Sequence, residues 1–418
     1  MFLFLQYIRP LWYYWSAVDF NKNSKYEEAY KNYLNLENGF DSIIGSYNIN
    51  RNVSDNYLFL KSNFGYATLF KIFFLRGFTG FYFLLDVWPV LKVIFMNTKK
   101  ITLKSDFEQS DFLEFNSELI KSEPLVSVII PTLNRYLYLK DVILDLSKQS
   151  YKNFEVIICD QSSPVDKEFY CNCPIDIVLI EQKEKALWLA RNRCIEKSRG
   201  EYLLFFDDDS RVEKNWIENH LKAIDYFNCS VSAGVTKTIL GNPLSNRDDI
   251  FRNSDVFDTG NAMVEKTIFL KVGLFDRQFE KQRMGDGEFG NRLIKNRIAI
   301  VSNPLATRLH LKVSSGGLRQ MHAWDAFRTG GILTARPIPS VLYYARNYFK
   351  FSQVVIYLLQ NLPFAFIPFR YKNDSKYKLI YLLLLPFTMP LLLICLSKSI
   401  NSSSQMLRKG PLINFPKI

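Results

Sequence analysis

Residues 202–210 read Tyr-Leu-Leu-Phe-Phe-Asp-Asp-Asp-Ser: an apolar run from Tyr202 to Phe206 closed by Asp207, Asp208 and Asp209. A short apolar run ending in polar residues reads as a buried strand. Three carboxylates at its end repel one another and resist ionisation unless a hard divalent ion, Mg2+ or Mn2+ on oxygen ligands, neutralises them. In open α/β sheets, ligands bind beyond the carboxyl ends of strands. A metal held there would suit a diphosphate, which Mg2+ binds together with one or two carboxylates. The competing reading is a solvated loop after an ordinary strand.

The neighbouring sequence favours the metal. Val126 to Ile130 is a β-branched run ended by Pro131, Thr132, Leu133, Asn134 and Arg135, and a helical pattern follows from Tyr136 to Lys148. Glu155 to Cys159 reads as a second strand ending in Asp160, and Ile175 to Ile180 as a third. Lys185 to Ser198 reads as a helix carrying Arg191 and Asn192, leading through Gly200 into the acidic strand. Strands alternating with helices imply a mostly parallel sheet. Asp160 and the triplet then lie at matching strand ends.

The chain has 418 residues, too many for one ordinary domain. Its composition marks a first region over 1–122, a central region over 123–317 and a last over 318–418. Lys and Arg number 53 against 41 Asp and Glu, a net charge of +12 that favours polyanionic partners or an anionic membrane surface. No basic run interleaves with aromatics and no zinc-finger spacing occurs, so nucleic acid is not the expected partner. The six cysteines show no repeated pair spacing and read as reduced core residues of a cytosolic face. Met1 to Trp15 has no basic start or small-residue cleavage site and is not read as a secretory signal. In the first region, Lys71, Arg76, Asp86 and Lys92 interrupt the aromatic stretch from Phe64 to Met96, which favours an interfacial or packed helix pair. In the last, Val354 to Phe369 and Leu379 to Leu396 are apolar runs broken by prolines, among them Pro386 and Pro390. A re-entrant or in-plane hairpin there competes with spanning helices.

Over about residues 126–313 the chain resembles the family 2 glycosyltransferases, which have the GT-A nucleotide-sugar-binding fold. Val126 to Arg135 is similar to that family's opening strand and loop, and Val156 to Asp160 to its second strand, whose last Asp reads the nucleotide base. Ala190, Arg191 and Asn192 resemble the helix before the metal strand, and the triplet resembles a DxD motif. The resemblance implies a Rossmann-like α/β domain flanked by mainly helical, membrane-associated segments. It also implies Pro131, Thr132, Asn134, Arg135, Asp160, Arg191, Asp207 and Asp208 as substrate-binding residues, with Asp209 on the metal. Asp258 to Val264 resembles the strand beside the donor sugar, with Gly260 and Asn261 near the ligand; a simple bulge is the alternative for Gly260.

Arg283 to Leu293 looks like the family's acidic helix start, which registers Asp286 as the base and leaves Glu288 as the other carboxylate. Gly285 departs from the pattern, standing where the first acid belongs. An acceptor hydroxyl needs such a base as it attacks the anomeric carbon. A helix N-terminus would lower the pKa of Asp286, whereas burial or donor phosphates would raise it. The resemblance places His310, after a strand over Ala299 to Ser302, where a histidine would complete the metal shell or contact the diphosphate; a satisfied half-buried residue is the alternative. His220 reads as a helix-surface residue. Gln320 to Trp324 resembles a Gln-x-x-Arg-Trp motif of processive synthases with Ala323 in place of Arg, which implies a non-processive enzyme.

The expected reaction is an inverting transfer from a nucleoside-diphosphate sugar, a UDP-sugar foremost, to a lipid-linked or membrane-bound saccharide acceptor. The expected site of action is the cytoplasmic face of a cell inner membrane. Two alternatives stay open: a metal-dependent nucleotidyltransferase, although Pro131 to Arg135 contains no glycine for a phosphate loop, and a catalytically silent membrane scaffold, favoured by Gly285.

Overall fold

A computed structural model of the chain describes residues 109–238, 251–254, 256–313, 325–328, 330–349, 351–372 and 374–416, with scattered positions between 61 and 95. The described residues fall into two compact units. One holds 109–313 with 409–416; the other holds 325–408 and the positions between 61 and 95.

The first unit opens with the short helices α1 (Gln109–Glu114) and α2 (Glu118–Lys121). An α/β alternation follows: β1 (Val126–Thr132), α3 (Tyr136–Ser147), β2 (Phe154–Asp160), α4 (Lys167–Cys171), β3 (Ile177–Glu181), α5 (Leu187–Lys197) and β4 (Tyr202–Phe206). After it come β5 (Ser210–Val212), α6 (Trp216–Tyr226), β6 (Val231–Thr238), β7 (Arg252–Asn253), β8 (Asn261–Glu265), α7 (Ile268–Val272), α8 (Gly285–Lys295) and β9 (Val301–His310). All seven residues of β1 are buried, as expected of a strand covered on both faces. On α3, Leu139, Val142, Ile143 and Leu146 turn to the core at helical spacing.

The sheet order is β3-β2-β1-β4-β8-β6-β9-β5, with β7 beside β9. β3, β2, β1 and β4 are parallel, whereas β8 joins β4 antiparallel and the far half is mixed. The parallel reading therefore applies to the first half of the sheet. The order reverses between β1 and β4, a topological switch point, and the triplet follows β4 there. β9 also runs past the expected strand: it has ten residues and His310 is the last, paired with Ser210 of β5 and Thr238 of β6.

Residues 109–122 pack with this unit. Ser117 donates to Asp225 at 2.6 Å, and Phe112 lies 4.6 Å from the Phe251 ring. His220 corrects its sequence reading: it is fully buried on α6, bonded to Ser232 Oγ at 2.9 Å and facing Asn261 Oδ1 at 3.2 Å. Burial pushes its pKa down to about 4. All six cysteines are free; Cys171 is exposed and Cys173 half-buried, so these two are not core residues.

In the second unit, α9 (Pro339–Tyr348) and α10 (Phe351–Asn361) precede α11 (Ser375–Leu383) and α12 (Leu385–Lys409). Among the described residues no single helix is long and apolar enough to cross a membrane. The α11–α12 pair qualifies together but bends by 86°. The break falls at Leu384, ahead of Pro386, and Pro390 is accommodated inside α12. Leu383 and Phe387 flank the break and are 71% and 80% exposed. The Gln320 to Trp324 motif and most of the Phe64 to Met96 stretch lie outside the described residues.

Candidate active site

The switch point brings the carboxyl ends of β1, β2 and β4 together. Thr132, last in β1, pairs in register with Asp160, last in β2, and donates from Oγ1 to Asp208 Oδ2 at 2.8 Å. Arg135, beside the start of α3, donates to Asp208 Oδ1 at 2.8 Å and lies 3.4 Å from Asp209 Oδ2. Burial raises the Asp208 pKa to about 6, against the pull of Arg135. Asn134 adopts φ +53, a left-handed conformation that asparagine tolerates better than most residues, and its N–H donates to Ser162 Oγ. Pro131 is buried within β1.

Asp207 sits between two guanidinium groups. Arg191 of α5 reaches Oδ1 at 3.1 Å and Arg308 of β9 reaches Oδ2 at 2.7 Å. Arg191 also donates to Thr259 O and lies over the Trp188 ring, 5.0 Å from its centroid. Arg308 further donates to Asp258, Thr236 Oγ1 and Ser210 Oγ. Burial opposes ionisation of Asp258, but Arg308 holds its pKa below the usual value. Removing one partner of such a buried pair typically costs about 3–5 kcal/mol, because the other charge is stranded. A Cβ on Gly260 would collide with both Arg308 and Asp207, so this glycine makes room for their ion pair.

Asp209 is fully buried, with His310 Nε2 3.3 Å from its Oδ1. Asp207, Asp209 and His310 each offer one ligand atom within 4.8 Å of the others. The two carboxylates suit Mg2+ or Mn2+, and the imidazole favours Mn2+ of the two. Asp207, Asp208, Asp209 and Asp258 outnumber Arg135, Arg191 and Arg308, so a divalent cation would relieve surplus negative charge.

Asp160 is also fully buried. Its Oδ2 accepts from the hydroxyls of Tyr136 (2.7 Å) and Tyr170 (2.8 Å), and its Oδ1 from Ser162 N–H (2.8 Å). Asn261 has a structural post: its amide donates to Val235 O and Ala306 O, and its carbonyl accepts from Trp216 Nε1. That bonding accounts for both of its amide hydrogens.

Asp286 lies in the first turn of α8, half-buried, and accepts the Gly287 N–H at 2.8 Å. Burial raises its pKa, helped by the charge of Asp258 and opposed by Arg191. Desolvation thus outweighs the backbone N–H groups that donate to the carboxylate. Glu288 is 2% exposed and accepts from Arg292 Nη2 at 3.0 Å, one turn along. Gly285 has a steric cause, since a Cβ there would run into the indole of Trp188.

Sequence reading assigned no role to Arg308, Tyr136, Tyr170 or Trp188. Arg308 carried a signal, because Ala306, Arg308 and His310 alternate onto one face of β9. The tyrosines and Trp188 meet their partners only through the fold.

Residues 127–294 match the family model described as glycosyl transferase family 2. Glycosyltransferase GlyA of Streptococcus pneumoniae is 27% identical over 167 residues, covering 38% of this chain and 22% of that protein. The amylovoran biosynthesis glycosyltransferase AmsB of Erwinia amylovora is 36% identical over 107 residues, covering 24% and 35%. The chain thus spans well under half the length of either relative. Among solved structures, S. aureus TarS 1–349 in complex with UDP-GlcNAc is 16% identical, with a TM-score of 0.45 over 70% of this chain and 97% of that one.

Proposed function

We propose that the protein, whose residues 127–294 match the family 2 glycosyltransferase model, transfers a sugar from a nucleoside-diphosphate sugar, a UDP-sugar foremost, to a saccharide acceptor in cell-surface polysaccharide assembly. The observation that carries this reading is the buried acidic cluster at the switch point, with Asp207, Asp209 and His310 within reach of one ion. Asp209 and His310 would hold Mg2+ or Mn2+, with Asp207 beside them. Once bound, the ion would supply Lewis-acid stabilisation for a departing diphosphate. Asp160, oriented by two tyrosine hydroxyls, reads the base. Arg191 lies on the helix next to the diphosphate path and offsets its charge.

Asp286 takes the proton from the acceptor hydroxyl at its carboxylate oxygen. Its raised pKa brings it nearer to what a general base needs at neutral pH. Direct displacement with one base inverts the anomeric centre. Each encounter adds one sugar, a reading that rests on Ala323 in the sequence. The acceptor is lipid-linked or otherwise membrane-bound, and the enzyme works at the cytoplasmic face of a cell inner membrane. The exposed apolar residues around the α11–α12 bend support that membrane reading. The alternative of a silent scaffold rested on Gly285, and the packing of Trp188 gives that glycine a steric reason.

The test is nucleoside-diphosphate release from a panel of nucleotide-sugars by detergent-solubilised protein, with and without Mn2+. Metal-dependent release from one donor is expected. Silence across the panel despite metal-dependent nucleotide binding would favour the scaffold.

A further inference from the structure

We propose that residues 410–416 are a positioning rung for the catalytic helix α8, holding the 272–279 segment from which α8 and α5 are both set. This rests on the reading of Asp286 as the base.

Two sets of partners hold that segment. The first comes from the helices of the site. Arg292 of α8 donates from Nη1 to the carbonyls of Val272 (2.6 Å) and Leu274 (2.8 Å). Asn192 of α5 exchanges two hydrogen bonds with the Phe275 backbone, at 2.9 and 3.0 Å, and Trp188 Nε1 donates to Phe279 O at 3.1 Å. α5 also carries Arg191 and α8 carries Asp286, so this one segment ties a cation of the donor site to the base.

Residues 410–416 supply the second set. Leu274 N–H donates to Asn414 O at 2.8 Å and Arg277 N–H to Leu412 O at 3.3 Å. Leu412 N–H returns a bond to Asp276 Oδ1 at 2.9 Å, an oxygen that also accepts from Gln278 N–H. The Gln278 side chain donates to Gly410 O. Asp276 is 2% exposed, so its carboxylate is committed to this junction. Gly273 has φ +75, and a Cβ there would collide with Ile413; the close approach of the two segments needs glycine on both counts. The side chains of Leu412 and Phe415 are 49% and 61% exposed. Main-chain bonds thus hold the rung more than apolar burial does. Its effect is on the register of 272–279, and through Arg292 in the last turn of α8 on how that helix is seated, more than on the core.

Leu412→Pro removes the N–H that Asp276 accepts, whereas Leu412→Ala keeps it. We expect L412P to lower kcat about tenfold with donor KM within about twofold, as for a displaced catalytic group. Hydrogen exchange at amides 285–293 should quicken in L412P alone, with L412A like the parent. Parent-like kcat in L412P would overturn the proposal, as would unchanged exchange in α8 or a uniform rise that extends through β1 to β4. If the parent releases no nucleotide from any donor, the transferase reading fails on its own, and the exchange data still decide whether the rung sets α8.

Discussion

His220 shows how far one residue's surroundings change its chemistry. Fully buried and bonded to Ser232, it titrates near 4 in the folded chain against about 6.5 unfolded. A depressed folded pKa means that the unfolded chain binds the extra proton first. The stability is therefore full above about pH 6.5 and is lost as pH falls towards 4, by an amount on the order of 3 kcal/mol. Thermal unfolding followed at pH 7.5, 6 and 5 should show a larger fall in Tm for the parent than for His220→Gln, whose amide does not titrate. Equal pH dependence in the two proteins would remove His220 as the cause. Sequence spacing put His220 on the helix surface because the groups that close over it, Ser232 of β6 and Asn261 of β8, come from strands that the spacing of α6 does not reveal. Asp207 to Asp209, Asp160 and Asp286 were legible because each lies in a local motif at an element's end, and Arg191 because it lies in a local motif within α5. Arg308 was not, because its meaning depends on Asp207, 101 positions away.

At the scale of the element, α8 explains the departure from the family's acidic pair. Its first residue, Gly285, packs under the Trp188 indole, which also donates to Phe279 O and stacks beneath Arg191. Restoring an acid there therefore overpacks the site. Gly285→Glu should destabilise the protein by about 1–3 kcal/mol, and Trp188→Ala should relieve much of that in the double variant. Additive losses in a denaturant double-mutant cycle would show that the glycine has another cause. The strand pattern was similarly legible in part. Buried runs and turn residues announced β1, β2 and β4, but the antiparallel entry of β8 beside β4 is set by long-range pairing that periodicity does not encode.

For the whole molecule, the apolar surface at the α11–α12 break carries the expectation of membrane association. Charging it with Leu383→Glu and Phe387→Glu should reduce co-flotation with vesicles containing anionic phospholipid by about tenfold or more. Flotation equal to the parent's would take the membrane contact away from this bend. Length and apolar runs announced these helices, while the 86° bend at Leu384 sits just ahead of Pro386, whose missing N–H weakens helical continuity there. The proposed chemistry divides the labour between Asp209, for the metal, and Asp286, for the proton. The most direct test measures metal-dependent nucleotide binding and nucleoside-diphosphate release side by side in Asp209→Ala and Asp286→Asn. D209A is expected to lose both, whereas D286N is expected to bind the donor like the parent but release product at least about 100-fold more slowly. A D286N protein as active as the parent would contradict it.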